Sequence, residues 1–355
     1  MATRDEVIEA LRTVMDPELG RDIVNLGMLK EVEVAGDAVR VEITLTTPAC
    51  PLKNVIRRDV EAAVGALPGV GSVHVELGSK VAARPKEKGE RLPSVRNIIA
   101  VGAGKGGVGK STVAVNLAVA LAQSGASVGL LDADVYGPSV PILVGRTDGR
   151  VEPVRVGERD LMAPIEAHGV KVFSMGLLLG AGDALVWRGP MLHKAMTQFL
   201  EEVHWGDLDY LVVDLPPGTG DVQISLASLV PVSSAIVVTT PQDVAFADVR
   251  RAVKMFEITK VPVLGVVENM ASFTCPACGT LHHPFGEGRV ESLAQAANLP
   301  YLGEIPLDPR VSTNGDLGVP IVVADPEGRP ASALKELAGR VAARQSVLNL
   351  AGQPS

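Results

Sequence analysis

The chain has 355 residues, 46% of them hydrophobic, enough for two domains or one large one with an ample core. A formal net charge of −8 and only 3% aromatic residues argue against a general nucleic-acid footprint or a base-stacking surface. The first residues carry no apolar signal core and no apolar run reaches about 18 residues, which argues against secretion and membrane spanning, and three cysteines in such a chain point to reduced thiols in a cytoplasmic compartment.

In chain order, apolar periodicity predicts a helix over Arg4 to Val14, two strands around Gly36-Asp37, a helix from Pro51 to Leu67 and a strand near Val73 to Leu77. Together they make a small α+β domain over residues 1–80. Residues 81–93 (VAARPKEKGERLP) are charged, contain proline and lack apolar periodicity, so they read as a linker. Residues 94–345 hold five nearly continuous apolar runs, Ile98 to Ala103, Val128 to Leu131, Tyr210 to Val213, Ala235 to Thr239 and Val263 to Val267. Such runs suit strands buried on both faces of a mostly parallel sheet, and they predict a three-layer α/β domain. Val135 to Asp207 is long for a simple crossover, and with Arg188, His193 and Lys194 it reads as a contact segment. A last helix is predicted over Ala331 to Ala343, and residues 346–355 read as a frayed tail.

The richest stretch follows the first of those runs. GKGGVGKST, Gly104 to Thr112, lies between a strand and a helix that Gly125 stops. Backbone N–H groups of Gly104, Gly106, Gly107, Val108 and Gly109 can wrap a phosphate, Lys110 can reach the β/γ-phosphates, and Ser111 beside Thr112 can meet Mg²⁺. The phosphate would sit on a helix N-terminus, as in a P-loop NTPase. Lys105 is an additional cation close to that loop, placed to stabilise transferring charge.

Asp132-Ala-Asp134 and Asp214-Leu-Pro-Pro-Gly218 end the second and third runs, at the carboxyl edge where open α/β sheets bind ligands. Phosphoryl transfer needs Mg²⁺ held and water oriented. We assign Mg²⁺ to Ser111 and Asp214 and the attacking water to Asp134, while Asp132 reads equally well as a strand-end cap. Pro216 to Asp221 (PPGTGD) has the composition of a switch loop. Glu268-Asn269-Met270 after the fifth run is not the Asn-Lys-x-Asp motif that reads guanine.

Cys275-Pro-Ala-Cys278 supplies two thiolates, whereas a 4Fe-4S cluster normally takes four. A homodimer with both pairs facing its two-fold axis would supply them. Zinc held with His282 or His283, and a thioredoxin-like redox pair, are the other readings of CxxC. Cys50, ahead of the helix from Pro51, is a candidate for transient cluster contact or a small buried residue.

GKGGVGKST, DADVYGPS and VVDLPPGTGD together resemble the deviant Walker A, or SIMIBI, class of P-loop ATPases. Trp187 to Met191 (WRGPM), Trp205 to Asp221, Thr240 to Ala245 (TPQDVA), Val267 to Gly279 and Tyr301 to Val311 resemble the Mrp/ApbC family of iron-sulfur cluster carriers. Residues 1–80, with MDPEL at Met15 to Leu19 and TTPACPL at Thr46 to Leu52, resemble the PaaD-like iron-sulfur assembly domain. The resemblance implies a slow ATP hydrolase that works as a homodimer. In it Lys105 reaches the neighbour's phosphates, Asn269 contacts adenine, and Cys275 and Cys278 hold a bridging 4Fe-4S cluster for delivery from an assembly scaffold to apoproteins. A positioning ATPase of the MinD or ParA kind shares the phosphate loop but would need a DNA-binding face or an amphipathic membrane helix.

Overall fold

The computed structural model describes residues 2–17, 20–84, 92–134, 137–177, 189–219, 224, 229, 231–286 and 288–351, without the side chains of 175, 189–195 and 243–246. The chain divides into two compact units, residues 1–85 with 339–355, and residues 86–338.

In the smaller unit, helix α1 (Arg4–Leu11) starts with a capping box in which the Thr3 side chain accepts from the Glu6 N–H and Glu6 accepts from the Thr3 N–H. A two-residue ribbon, β1 (Met15–Asp16) with β2 (Arg21–Asp22), precedes a three-stranded sheet. Strands β3 (Leu29–Ala35) and β4 (Ala38–Leu45) form the antiparallel hairpin expected at Gly36-Asp37, and β5 (Ser72–Ser79) lies parallel to β4. Val39, Val41, Ile43 and Leu45 alternate into the core, where they meet Ile56, Val60 and Val64 from helix α2 (Lys53–Gly65). Glu18 and Leu19 of MDPEL lie outside the described residues.

The larger unit is built on an eight-stranded sheet. Its strands in chain order are β6 (Val95–Gly102), β7 (Val128–Asp132), β10 (Ile165–Ala167), β11 (Val170–Ser174), β12 (Leu208–Asp214), β13 (Ser234–Thr239), β14 (Val263–Asn269) and β17 (Tyr301–Ile305). Their spatial order is β10-β11-β7-β12-β6-β13-β14-β17, parallel throughout except for β10 against β11. All five predicted apolar runs are strands of this sheet, which bears out the fold class. The sheet packs with α3 (Lys110–Gln123), α5 (Gly189–Glu202), α6 (Asp243–Ile258) and α7 (Val290–Ala296), while α4 (Val140–Leu143) and the later short helices α8 (Pro309–Asp316) and α9 (Ile321–Ala324) pack on α3 and on one another. Two small hairpins, β8 (Pro153–Val156) with β9 (Arg159–Met162) and β15 (Phe273–Thr274) with β16 (Leu281–His282), project from it.

Two expectations change. The segment after Asp134 supplies two strands of the main sheet, β10 and β11, as well as the β8–β9 hairpin; Arg188 and the side chains of His193 and Lys194 lie outside the described residues. And residues 346–351, read as tail, continue helix α10 (Arg329–Ala351). Val341, Ala342, Gln345, Ser346 and Asn349 recur at helical spacing and are all buried in the smaller unit's end of the chain. There Asn349 donates to the Ala82 carbonyl at 2.9 Å and Ser346 to the Thr46 carbonyl at 3.4 Å. Three of those five buried residues are polar, so the apolar period fades before the helix ends.

Candidate functional site

Three loops leave the carboxyl edge of the sheet side by side, after β6, β7 and β12. Backbone bonds lash them together: Ala133 N–H to the Asp214 carbonyl at 2.9 Å, Leu215 N–H to Val101 at 3.1 Å and Gly218 N–H to Ala103 at 2.9 Å. The loop after β6 ends at Gly109, whose φ of +80° is the left-handed conformation that starts α3 at Lys110. A Cβ there would also lie 2.2 Å from Asn269 Nδ2, and one at Gly104 would lie 2.3 Å from the Asp248 carbonyl oxygen. Both glycines let a neighbour approach the loop that only a bare backbone admits.

The buried Lys110 ammonium donates to Asp214 Oδ1 and lies 3.8 Å from Asp134 Oδ2 and 3.3 Å from Ser111 Oγ. Lys110, Ser111, Asp134 and Asp214 are thus brought together as the sequence predicts. Burial pushes the Asp214 carboxyl up, and the Lys110 charge and the Ser111 hydroxyl oppose that shift. Asp214 Oδ2 is buried with no hydrogen-bond partner among the described residues. A buried orphan carboxylate oxygen beside a hydroxyl is a donor pair that suits a hard divalent cation, so the residues present fit Mg²⁺.

Asp132 is more than a cap on its own strand. Its Oδ1 accepts from Asp134 N–H at 3.1 Å, while its Oδ2 accepts from Val140 N–H at 3.3 Å and from the Ser174 hydroxyl at 2.8 Å. Burial and the Asp214 charge raise its carboxyl to about 7, against the pull of these donors. Sequence reasoning missed Ser174, since β11 was not among the expected strands.

Lys105 stands apart from this cluster: its Nζ donates to Gln242 Oε1 at 3.1 Å, at the N-cap of α6. Asn269 donates from Nδ2 to the Val108 carbonyl at 2.9 Å, tying the end of β14 to the phosphate loop. It also lines a cavity of about 230 Å³ with Gly109, Thr112, Met270, Pro306 and Leu307. That cavity opens beside the start of α3, where a base would lie if its phosphates occupied the loop. Beside it, Glu268 is buried, accepts from the Tyr301 hydroxyl at 2.9 Å, and is raised by burial. Asp221 of the expected switch loop lies outside the described residues.

Cys275 and Cys278 occupy the turn between β15 and β16. Cys275 N–H donates to the Thr280 carbonyl and Gly279 N–H to the Cys275 carbonyl, both at 2.9 Å, and Gly279 has a φ of +73°. The turn holds both thiols at the surface, Cys278 exposed and Cys275 partly so, and neither is in a disulfide. The Thr280 hydroxyl, 3.2 Å from Cys278 Sγ, and the Thr280 N–H hold the Cys278 thiol below the usual range, with Cys275 adding to the effect. His283 Nδ1 is engaged 3.2 Å from the Ala271 carbonyl. Among the described residues no three His, Cys, Asp or Glu side chains are grouped to hold a metal ion. Cys50 is buried in the core of the smaller unit.

Comparison with known proteins agrees with this geometry. Residues 94–342 match the family model described as NUBPL iron-transfer P-loop NTPase, and residues 4–76 match that of an iron-sulfur cluster assembly protein. The iron-sulfur cluster carrier protein of Deinococcus radiodurans is 52% identical over 99% of this chain and 98% of its own, and that of Synechocystis is 46% identical over 99% of this chain and all of its own. A solved nucleotide-binding protein of Archaeoglobus fulgidus, in complex with ADP and with cobalt, is 40% identical with a TM-score of 0.58, over 67% of this chain and 92% of that one. The MinD cell division protein of Aquifex aeolicus, 22% identical with a TM-score of 0.51 over 69% of this chain and 96% of its own, shares the fold. With its phosphate loop, its acid cluster and the length of these matches, the chain belongs to the NUBPL iron-transfer P-loop NTPase family and carries an iron-sulfur cluster assembly domain at its amino end.

Proposed function

We propose that this chain is an ATP-dependent iron-sulfur cluster carrier that holds a 4Fe-4S cluster between two copies of itself and passes it to apoproteins, receiving it from an assembly scaffold in the cytoplasm. The observation that carries the reading is the Cys275–Cys278 turn: two thiols presented at the surface, one with its thiolate favoured, and no further ligand grouped with them among the described residues. Half a ligand set at a surface suits a cluster shared across a two-fold axis and released when that interface changes. The names of the full-length relatives point the same way. The positioning-ATPase alternative has less support, since the full-length relatives are named iron-sulfur cluster carriers and the MinD likeness is one of fold.

In the nucleotide site, the backbone N–H groups of Gly104 to Gly109 and the N-terminus of α3 bind the phosphates of ATP. Lys110 exchanges its contact with Asp214 for the β/γ-phosphate oxygens. Ser111 and Asp214 hold Mg²⁺, which when bound neutralises charge on those oxygens. Asp134, close to Lys110 on the adjoining loop, orients the attacking water. Lys105 leaves Gln242 to reach the neighbouring copy's phosphates, and hydrolysis is slow because it waits on that assembly. Asn269 faces the adenine from the cavity it lines.

Anaerobic reconstitution with iron and sulfide, followed by metal analysis and visible absorbance, tests this reading. We expect one oxygen-sensitive cluster per dimer in the wild type and none in Cys275→Ala or Cys278→Ala. Tightly bound zinc at one per chain with no competent cluster would replace it with a zinc-stabilised ATPase.

A further inference from the structure

Asp132 gathers three parts of the larger unit onto one carboxylate. Asp134 N–H reaches Oδ1, and the N-terminus of α4, through Val140 N–H, reaches Oδ2. The third donor, Ser174 Oγ at 2.8 Å, comes from the exit of β11, the strand that pairs β7 with Ser174 in register with Asp132. Ser174 Oγ also accepts from Gly176 N–H at 3.1 Å, so its single proton is directed at Asp132. Asp132, Ser174 and Asp214 are fully buried, and in such surroundings a connected chain of hydrogen bonds holds its members to one geometry. Asp134 bears the opposite signature: its side chain has no hydrogen-bond donor within reach except Lys110 at 3.8 Å among the described contacts, so its placement depends on its backbone.

We infer that Asp132, locked by Ser174, is a positioning residue that fixes Asp134 over the phosphate site and ties the catalytic loop to the exit of β11. Both ends of the segment between Asp134 and Val140 hang on this one side chain, through Asp134 N–H on Oδ1 and Val140 N–H on Oδ2. The inference rests on the assignment of Asp134 to the attacking water.

The test is steady-state ATP turnover of the full chain with Mg²⁺, comparing Asp132→Asn, Ser174→Ala, the double variant and Asp134→Ala. Asparagine keeps the size of aspartate but has one acceptor oxygen, so it cannot serve Asp134 N–H on one side and Val140 N–H with Ser174 on the other. We expect Asp132→Asn to lower kcat about tenfold or more with the KM for ATP within about threefold of wild type, the split of a lost transition-state alignment. Ser174→Ala should lower kcat about threefold, and the double variant should be no slower than Asp132→Asn alone, because both act through one network. Wild-type kcat in Asp132→Asn beside an inactive Asp134→Ala would overturn this inference and leave the role of Asp134 standing. A rise in KM without loss of kcat, or strictly multiplicative effects in the double variant, would overturn it equally. Wild-type turnover in Asp134→Ala would remove the assignment beneath it. Should Asp132→Asn fail to fold, the Ser174→Ala split decides, with no effect on kcat overturning the inference.

Discussion

Lys105 and Gln242 are joined by a 3.1 Å hydrogen bond, so the first lysine of the phosphate loop is held on the N-cap of α6 while Lys110, five residues on, turns into the acid cluster. The two lysines therefore play different parts. Lys110 is buried and fixed by a carboxylate; Lys105 is held by a hydrogen bond to an uncharged amide oxygen in a half-exposed position, a partner that an anionic phosphate can replace.

Lys105→Ala should accordingly keep nucleotide binding and lose turnover by about a hundredfold or more, the scale seen when a single transition-state donor is removed. Gln242→Glu should slow turnover by giving Lys105 a charged partner in its own chain. Turnover per chain measured against protein concentration checks the shared site: it should rise with concentration for wild type and stay flat at a low value for Lys105→Ala.

Lys110→Ala should abolish ATP turnover, and wild-type rates in that variant would overturn the phosphate-loop assignment. Asp214→Asn asks a different question. It removes the charge in direct contact with a buried ammonium, leaving Asp134 at 3.8 Å and the more remote Asp132 as the carboxylates near it. Breaking such a pair from one side costs about 3 kcal/mol or more, so the denaturation midpoint should fall in the absence of nucleotide. The same variant should lose the strengthening of nucleotide affinity by Mg²⁺, which calorimetry with and without the cation reads directly.

The smaller unit offers a test in stability alone. Asn349 is buried near the end of α10 and donates to the Ala82 carbonyl, while its own oxygen accepts from Gln345 at 2.8 Å. Asn349→Ala removes both of these buried hydrogen bonds and should destabilise by about 1–3 kcal/mol in chemical denaturation. ATP turnover, which draws on the other unit, should be unchanged at temperatures where the variant stays folded.

These residues also mark how far the sequence could be read. The five central strands are legible because burial on both faces makes them continuously apolar, and the phosphate loop because its geometry demands glycines at fixed places. Lys110, Ser111, Asp134 and Asp214 converge as expected, since each follows directly on a strand or begins a helix at one sheet edge. Ser174 was not legible, because β11 is a short strand whose alternation (VKVFS) reads as half-buried surface. Gln242 escaped because its contact with Lys105 spans 137 positions and no periodicity encodes it. The end of α10 reads as tail because the face it buries is Gln, Ser and Asn as much as Val and Ala, and hydropathy cannot see a polar residue whose partners lie some 270 to 300 positions away.

The cysteine turn yields the last prediction. Thr280 supplies both its hydroxyl and its N–H to Cys278, and each stabilises the thiolate over the thiol. A lowered pKa means a larger thiolate fraction at any pH below the ordinary thiol range, so exposed Cys278 should be alkylated by iodoacetamide faster than buried Cys50 near pH 7. Thr280→Val deletes the hydroxyl while keeping the shape of the side chain. It should shift the pH profile of Cys278 alkylation upward, slowing the reaction near neutrality and leaving it unchanged at pH values where every thiol is ionised. Mass spectrometry of peptides from a timed alkylation series across pH would resolve the three cysteines. An unshifted Cys278 profile in Thr280→Val would mean that the turn presents the thiol without activating it, and that cluster binding draws its thiolates from the metal itself.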